Sequence, residues 1–133
     1  MSGGFGFEIP MRTVAEVNSH THWRVRQQRA KQQRGTVHQY LWLLERQGYL
    51  VPVPVTVTLI RVAPRLLDTG DNLPSALKAS RDGIADYYNQ DDRQSSIIWR
   101  YDQQRGRPKY YAIRVVLEPQ SSAQKHIHTT ESL

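Results

Sequence analysis

The chain has no cysteine. That excludes disulfides, thiolate metal sites and a cysteine nucleophile, and it suits a reducing cytoplasm. Long apolar runs are missing as well. The longest, Tyr49 to Ile60, is interrupted by Pro52, Pro54, Thr56 and Thr58. A bilayer needs about 20 apolar residues in succession, so no membrane partner is expected. Met1 to Pro10 lacks a basic region followed by an apolar core and does not read as a secretion signal. A cytoplasmic location follows as the expectation. There is no glycine-rich phosphate loop of the nucleotide-hydrolase type and no internal repeat. Acids are absent from one long region. None occurs between Val17 and Leu44, where Arg24, Arg26, Arg29, Lys31 and Arg34 stand.

What is present is a chain of 133 residues, enough for one domain with a real core. It has 18 Lys and Arg against 12 Asp and Glu, a net charge of +6. Such a balance favours polyanions, although it also keeps an ordinary protein soluble. Six of the 12 acids fall between Asp68 and Asp92. An acidic island in a basic chain needs a reason, because like charges repel unless something binds them.

Alternation and spacing outline the elements. Phe5 to Ile9 reads as a short strand bounded by glycine and Pro10. His20 to Gln47 is polar, free of proline and helical by composition, with Gly35 weakening or breaking it. Val37, Tyr40, Leu41 and Leu44 give it an apolar stripe, and Gly48 is a stop signal. Val53, Val55, Val57 and Leu59 alternate with Pro54, Thr56, Thr58 and Ile60 as a strand does. Leu73, Leu77, Ser80, Ile84 and Tyr87 or Tyr88 form one helical stripe, capped by Asp71 or Asn72. Asp71, Ser75, Lys78 and Asp82 lie on the opposite side of that helix. Ile97 to Tyr101 and Tyr110 to Leu117 read as two strands in a hairpin around Gly106. From Pro119 onward a loose tail is expected, leaving residues 1–118 as the domain. The order strand, helix, strand, helix, strand, strand predicts an α/β or α+β fold, a small mixed sheet packed against helices.

Asp68 and Asp71 precede the second long helix, and Asp91 and Asp92 follow it. Magnesium takes oxygen ligands and uses one or two carboxylates plus waters and phosphates. Asp68, Asp71 and one of Asp91 or Asp92, brought together, would suit it. Lys78 could then stabilise charge on a phosphoryl oxygen. The same residues are also ordinary helix caps and turn formers. The two ends of that helix lie roughly 25–30 Å apart at 1.5 Å per residue, so Asp92 meets Asp71 only if the loop folds back.

The stretch Leu67-Asp68-Thr69-Gly70-Asp71-Asn72-Leu73, then Lys78, then Arg81-Asp82-Gly83-Ile84-Ala85-Asp86, then Asp91-Asp92 is similar to the core of the RusA-type Holliday junction resolvases. In that family an Asp-x-Asp-Asn precedes a helix, an aspartate pair follows it, and a branched-residue strand runs in beforehand. The resemblance covers roughly residues 7 to 117, with the specific motifs between 66 and 93. It implies a magnesium-dependent homodimeric endodeoxyribonuclease acting on branched DNA, with manganese as a substitute metal. Position by position, it implies metal and catalytic roles for Asp68, Asp71 and Asp92, with Asn72, Asp91 and Asp82 in support. Two departures stand out. Thr69 and Gly70 separate the first two acids where the family usually has one residue. The lysine of the best-known members falls on Ser75, and Lys78 lies one turn further along the same side. A non-catalytic DNA-binding protein of the same fold is the alternative.

Arg24, Arg26, Arg29, Lys31 and Arg34 could contact phosphates or form a solvated helix face. Trp23 and Tyr40 could stack on unpaired bases or pack in the core. Arg105-Gly106-Arg107-Pro108-Lys109 resembles an AT-hook core, but strand signals flank it, so a turn is expected whose Arg105 and Arg107 touch phosphates. His20 with His22 and His126 with His128 have no further ligands at motif spacing.

Overall fold

Six elements follow one another: strand β1 (Phe5–Pro10), helix α1 (Trp23–Gln47), strand β2 (Val55–Ala63), helix α2 (Asn72–Tyr88), strand β3 (Ile97–Arg105) and strand β4 (Ala112–Pro119). The computed structural model describes residues 4–13, 22–68, 70, 72–88 and 96–120. The fold is the expected small mixed sheet with helices. His22 starts α1, its Nδ1 accepting from the Arg24 N–H at 3.2 Å. Gly48 ends that helix in a left-handed conformation, φ 82°, which returns the chain on bonds to Glu45 and Leu44. Gly35 does not break α1, which runs through it without interruption. The turns on either side are held by Gln33, Val37, Leu41 and Leu44, all buried, and one exposed glycine costs only about 1 kcal/mol.

The sheet order is β1-β4-β2-β3, with β2 and β3 parallel and β4 antiparallel to both β1 and β2. The hairpin expected around Gly106 is therefore absent. β3 and β4 flank β2 on opposite sides, and the segment between them crosses over the end of β2. The Gly106 N–H bonds the Ala63 carbonyl there at 2.8 Å. A Cβ on Gly106 would stand 3.0 Å from Val62, so a side chain would crowd the crossing. β4 also extends further than expected. Pro119 belongs to it, and the Gln120 side chain bonds the Val55 and Ser96 carbonyls. Residues 121–133 of the expected tail lie outside the described residues.

One face of the sheet is apolar. Ile9, Val55, Val57, Leu59, Ile97, Ile113, Val115 and Leu117 pack there against Val37, Leu41 and Leu44 of α1 and Leu73, Leu77 and Ile84 of α2. The opposite face carries Thr58, Arg100, Asp102, Arg114 and Glu118. The two helices run in the same direction: Gly83 touches Arg34, and four residues on His38 meets Tyr87. Both helices connect strands that are parallel to each other. Their N-termini thus share one end of the molecule with the C-terminal ends of β1, β2 and β3.

Candidate functional site

Asp68 stands at that end. It is exposed, and its Oδ1 accepts from the Gly70 N–H at 3.2 Å. Its own carbonyl accepts from the Leu73 N–H at 3.0 Å, tying it to the first turn of α2. Gly70 makes this turn without a left-handed φ. From β3, Gln103 clamps the preceding residue through both ends of its amide. Oε1 accepts from the Leu67 N–H at 2.9 Å, and Nε2 donates to the Leu67 carbonyl at 2.7 Å. The carboxylate is thus carried on backbone fixed by two elements.

Asp71, Asp91 and Asp92 lie outside the described residues, so their expected meeting with Asp68 is not seen. Among the described residues no group of three or more His, Asp and Glu could hold a metal ion. Tyr88 and Ser96, which bracket positions 89–95, stand at the opposite end of α2. Tyr88 donates to the Val51 carbonyl, and the Ser96 carbonyl accepts from the first residue of β2 at 2.8 Å. Asn72 is the first residue of α2. Lys78 points from the exposed side of α2, and its ammonium is engaged: Nζ lies 2.9 Å from an oxygen of Asp82. An exposed pair of this kind is weak, at about 0.3–0.5 kcal/mol, so a phosphate could draw the lysine away.

The basic residues divide into two groups. Those of α1 form no single stripe. Arg24 and Lys31 are exposed, while Arg26, Arg29 and Arg34 are half-buried. Arg24 lies over the Trp23 ring at 5.7 Å, and Trp23 is half exposed. Tyr40, by contrast, packs against Phe7. Arg105 and Arg107 belong to the end that carries Asp68. Arg105 Nε bonds the Pro64 carbonyl at 3.1 Å, and Arg107 lies 4.5 Å from the Tyr110 ring. Of the histidines, His22 serves as the cap of α1, and His20, His126 and His128 lie outside the described residues.

Two arginines had no role assigned from the sequence. Arg81 donates to the Tyr101 hydroxyl at 2.6 Å and covers the Trp99 ring at 4.9 Å. With Pro74, Ser75, Lys78, Asp82 and Tyr101 it lines a groove of about 350 Å³ along α2. Arg61 sits on the apolar face of β2 and is 7% exposed. Burial lowers its pKa, with Tyr111 opposing and the Arg12 charge adding to the effect. Its signal was visible: it interrupts the buried run Val55, Val57, Leu59 with a charge. Arg12, Arg61, Arg65, Arg105, Arg107 and Lys109 thus gather at the end where Asp68 is fixed.

No protein-family model matches the chain, and no curated protein matches it in sequence. No helix among the described residues is long and apolar enough to cross a membrane.

Proposed function

We propose that the protein is a magnesium-dependent, structure-selective endodeoxyribonuclease that acts in the cytoplasm on Holliday junctions or similar branched DNA. The observation that carries this reading is the fixed, exposed carboxylate of Asp68 at an end otherwise crowded with arginine and lysine. A carboxylate held by backbone bonds in open solvent suits a hard cation, which needs few protein ligands beside phosphate and water. Asp68 and Asp71 would hold the ion and so position one phosphodiester. Magnesium there supplies a lowered water pKa and a Lewis acid for the phosphate. Arg105 and Arg107 would hold the flanking backbone, a contact that positions without reading sequence. In-line attack of water breaks the bond to the 3′-oxygen and leaves 5′-phosphate and 3′-hydroxyl ends. Lys78, released from Asp82, would meet the charge that develops on the phosphate.

Asp92 enters this scheme through the homodimer. It is four residues from both Tyr88 and Ser96, about 14 Å of fully extended chain. The head of α2 is about 24 Å from Tyr88 at 1.5 Å per residue. The third carboxylate at Asp68 would therefore be Asp92 of the second copy. Two-fold symmetry of the dimer then builds two such sites, as paired nicks across a junction require.

A labelled four-way junction titrated with magnesium tests the proposal. Nicks are expected in magnesium or manganese, and Asp68→Asn or Asp71→Asn should abolish them while binding persists. A chain that binds the junction and cuts in neither metal is a DNA-binding protein without the chemistry. The engagement of Lys78 by Asp82 is the observation that favours this second reading.

A further inference from the structure

Arg61 is a buried charge with no carboxylate beside it among the described residues. Its guanidinium uses two of its donors, both on neutral oxygens: Nε on Thr13 Oγ1 at 3.1 Å and Nη1 on the Arg65 carbonyl at 2.8 Å. The remaining N–H groups of the fork have no acceptor among the described residues. A buried cation is strongly unfavourable unless paired with an opposite charge. Yet the cavity it faces, about 470 Å³, is lined by Arg12, Thr13, Pro64, Arg65, Leu67 and Tyr111 beside it, with no carboxylate among them. Arg12 is held against the Tyr111 ring at 4.6 Å, which fixes a second cation on the rim. Arg65 is exposed and supplies a third.

Protein carboxylates answer buried arginines in most folds. Among the described residues none does so for Arg61, which leaves its fork open to an anion from outside. The cavity lies beyond the carboxyl end of β2, where open sheets with crossover helices place their ligands. Its wall includes Leu67, the residue before Asp68.

We propose that the Arg61 cavity is a phosphate-binding site that takes a backbone phosphodiester of the DNA, held by the Arg61 fork with Arg12 and Arg65 at its rim. The site rests on the nuclease reading for its ligand but not for its existence. It would anchor the strand one or more nucleotides from the phosphate at Asp68, and so set which bond is presented. The fork geometry suits two oxygens of one phosphate, which a lysine at position 61 could not match.

The test uses the full chain and two probes. The first is inorganic phosphate, compared with chloride at equal ionic strength in thermal melts. Phosphate should raise the melting temperature saturably, and Arg12→Ala and Arg65→Ala should each shrink that rise. Arg61→Lys should remove it while the chain still melts cooperatively. The second probe is a four-way junction bound in the absence of divalent metal at several salt concentrations. Each lost phosphate contact lowers the slope of log K against log salt by about 0.9, so Arg65→Ala should show that decrement. No rise with phosphate, together with unchanged slopes in both rim variants, overturns the site and leaves the nuclease reading intact. A rise with unchanged slopes also overturns it, in favour of a site for free phosphate. An arginine-dependent rise and slope in a chain that nicks in neither metal keeps the site and removes the nuclease.

Discussion

Gln103 does for the Asp68 segment what no spacing rule announces. It holds Leu67 by two hydrogen bonds across 36 residues of sequence. Each such bond contributes about 0.5–1.5 kcal/mol net. Gln103→Leu is expected to lower the melting temperature by a few degrees, and to reduce nicking by more than that loss explains. Equal loss of both would show that the clamp only stabilises. Two tyrosines make a pH prediction at the other end of the molecule. Tyr87 donates to Glu45, and this bond first, then burial and the Glu45 charge, push its pKa up to about 12. Burial first, then Tyr87 and Glu45, raises Tyr88 as well. An unfolded tyrosine ionises near pH 10. Above that pH the folded chain holds more protons than the unfolded one, so stability falls with rising pH. The Tyr87 share should be intact below about pH 10 and lost as pH passes about 12. Absorbance at the phenolate band, followed beside circular dichroism, checks this. Ionisation of all tyrosines near pH 10 with the native spectrum retained would contradict it.

Helices α1 and α2 meet at a glycine and carry a second glycine away from the contact, which separates two effects of the same substitution. A Cβ on Gly83 would stand 3.2 Å from the Arg34 Cα and carbonyl oxygen, and backbone cannot move aside cheaply. Gly83→Ala should cost about 1–3 kcal/mol as overpacking, less about 1 kcal/mol of helix propensity. Gly35 has open space around the same position. Gly35→Ala should stabilise by about 0.5–1 kcal/mol. Denaturant midpoints of the two variants should move in opposite directions, and a shared direction would mean that the contact is not tight. Most elements were legible because their apolar periods differ: Leu73, Leu77 and Ile84 at helical spacing, Val55, Val57 and Leu59 at alternate positions. Pairing was not. The segment around Gly106 has the same composition whether it turns back as a hairpin or crosses a neighbour. The clue lay elsewhere, in β2, where Val55, Thr56, Val57, Val62 and Ala63 are all buried. Burial that extends to Thr56 and Val62, on the face away from the helices, marks β2 as a central strand, which needs partners along both edges.

At the scale of the whole molecule, the sequence pointed to Asp68 and to basic residues on α1 and at Arg105 and Arg107, but not to the arginines that join the latter pair. The end where Arg12, Arg61, Arg65 and Arg105 meet is drawn from three separate parts of the chain, and no window of sequence contains it. If Asp92 acts on the second copy, mixing Asp68→Asn chains with Asp92→Asn chains should restore nicking, because one site of each mixed dimer is then intact. A one-to-one mixture should recover about a quarter of the native rate. No recovery after subunit exchange would mean that each copy completes its own site. The strand order has a consequence for how the protein is made. β4 is the last element among the described residues, yet it lies between β1 and β2, and Phe5 pairs with Leu117. Until Ala112–Pro119 leaves the ribosome, β1 has no strand partner and β2 has one bare edge. The nascent protein then exposes strand edges of the kind that aggregate, and a stop codon ahead of Ala112 should yield no folded product.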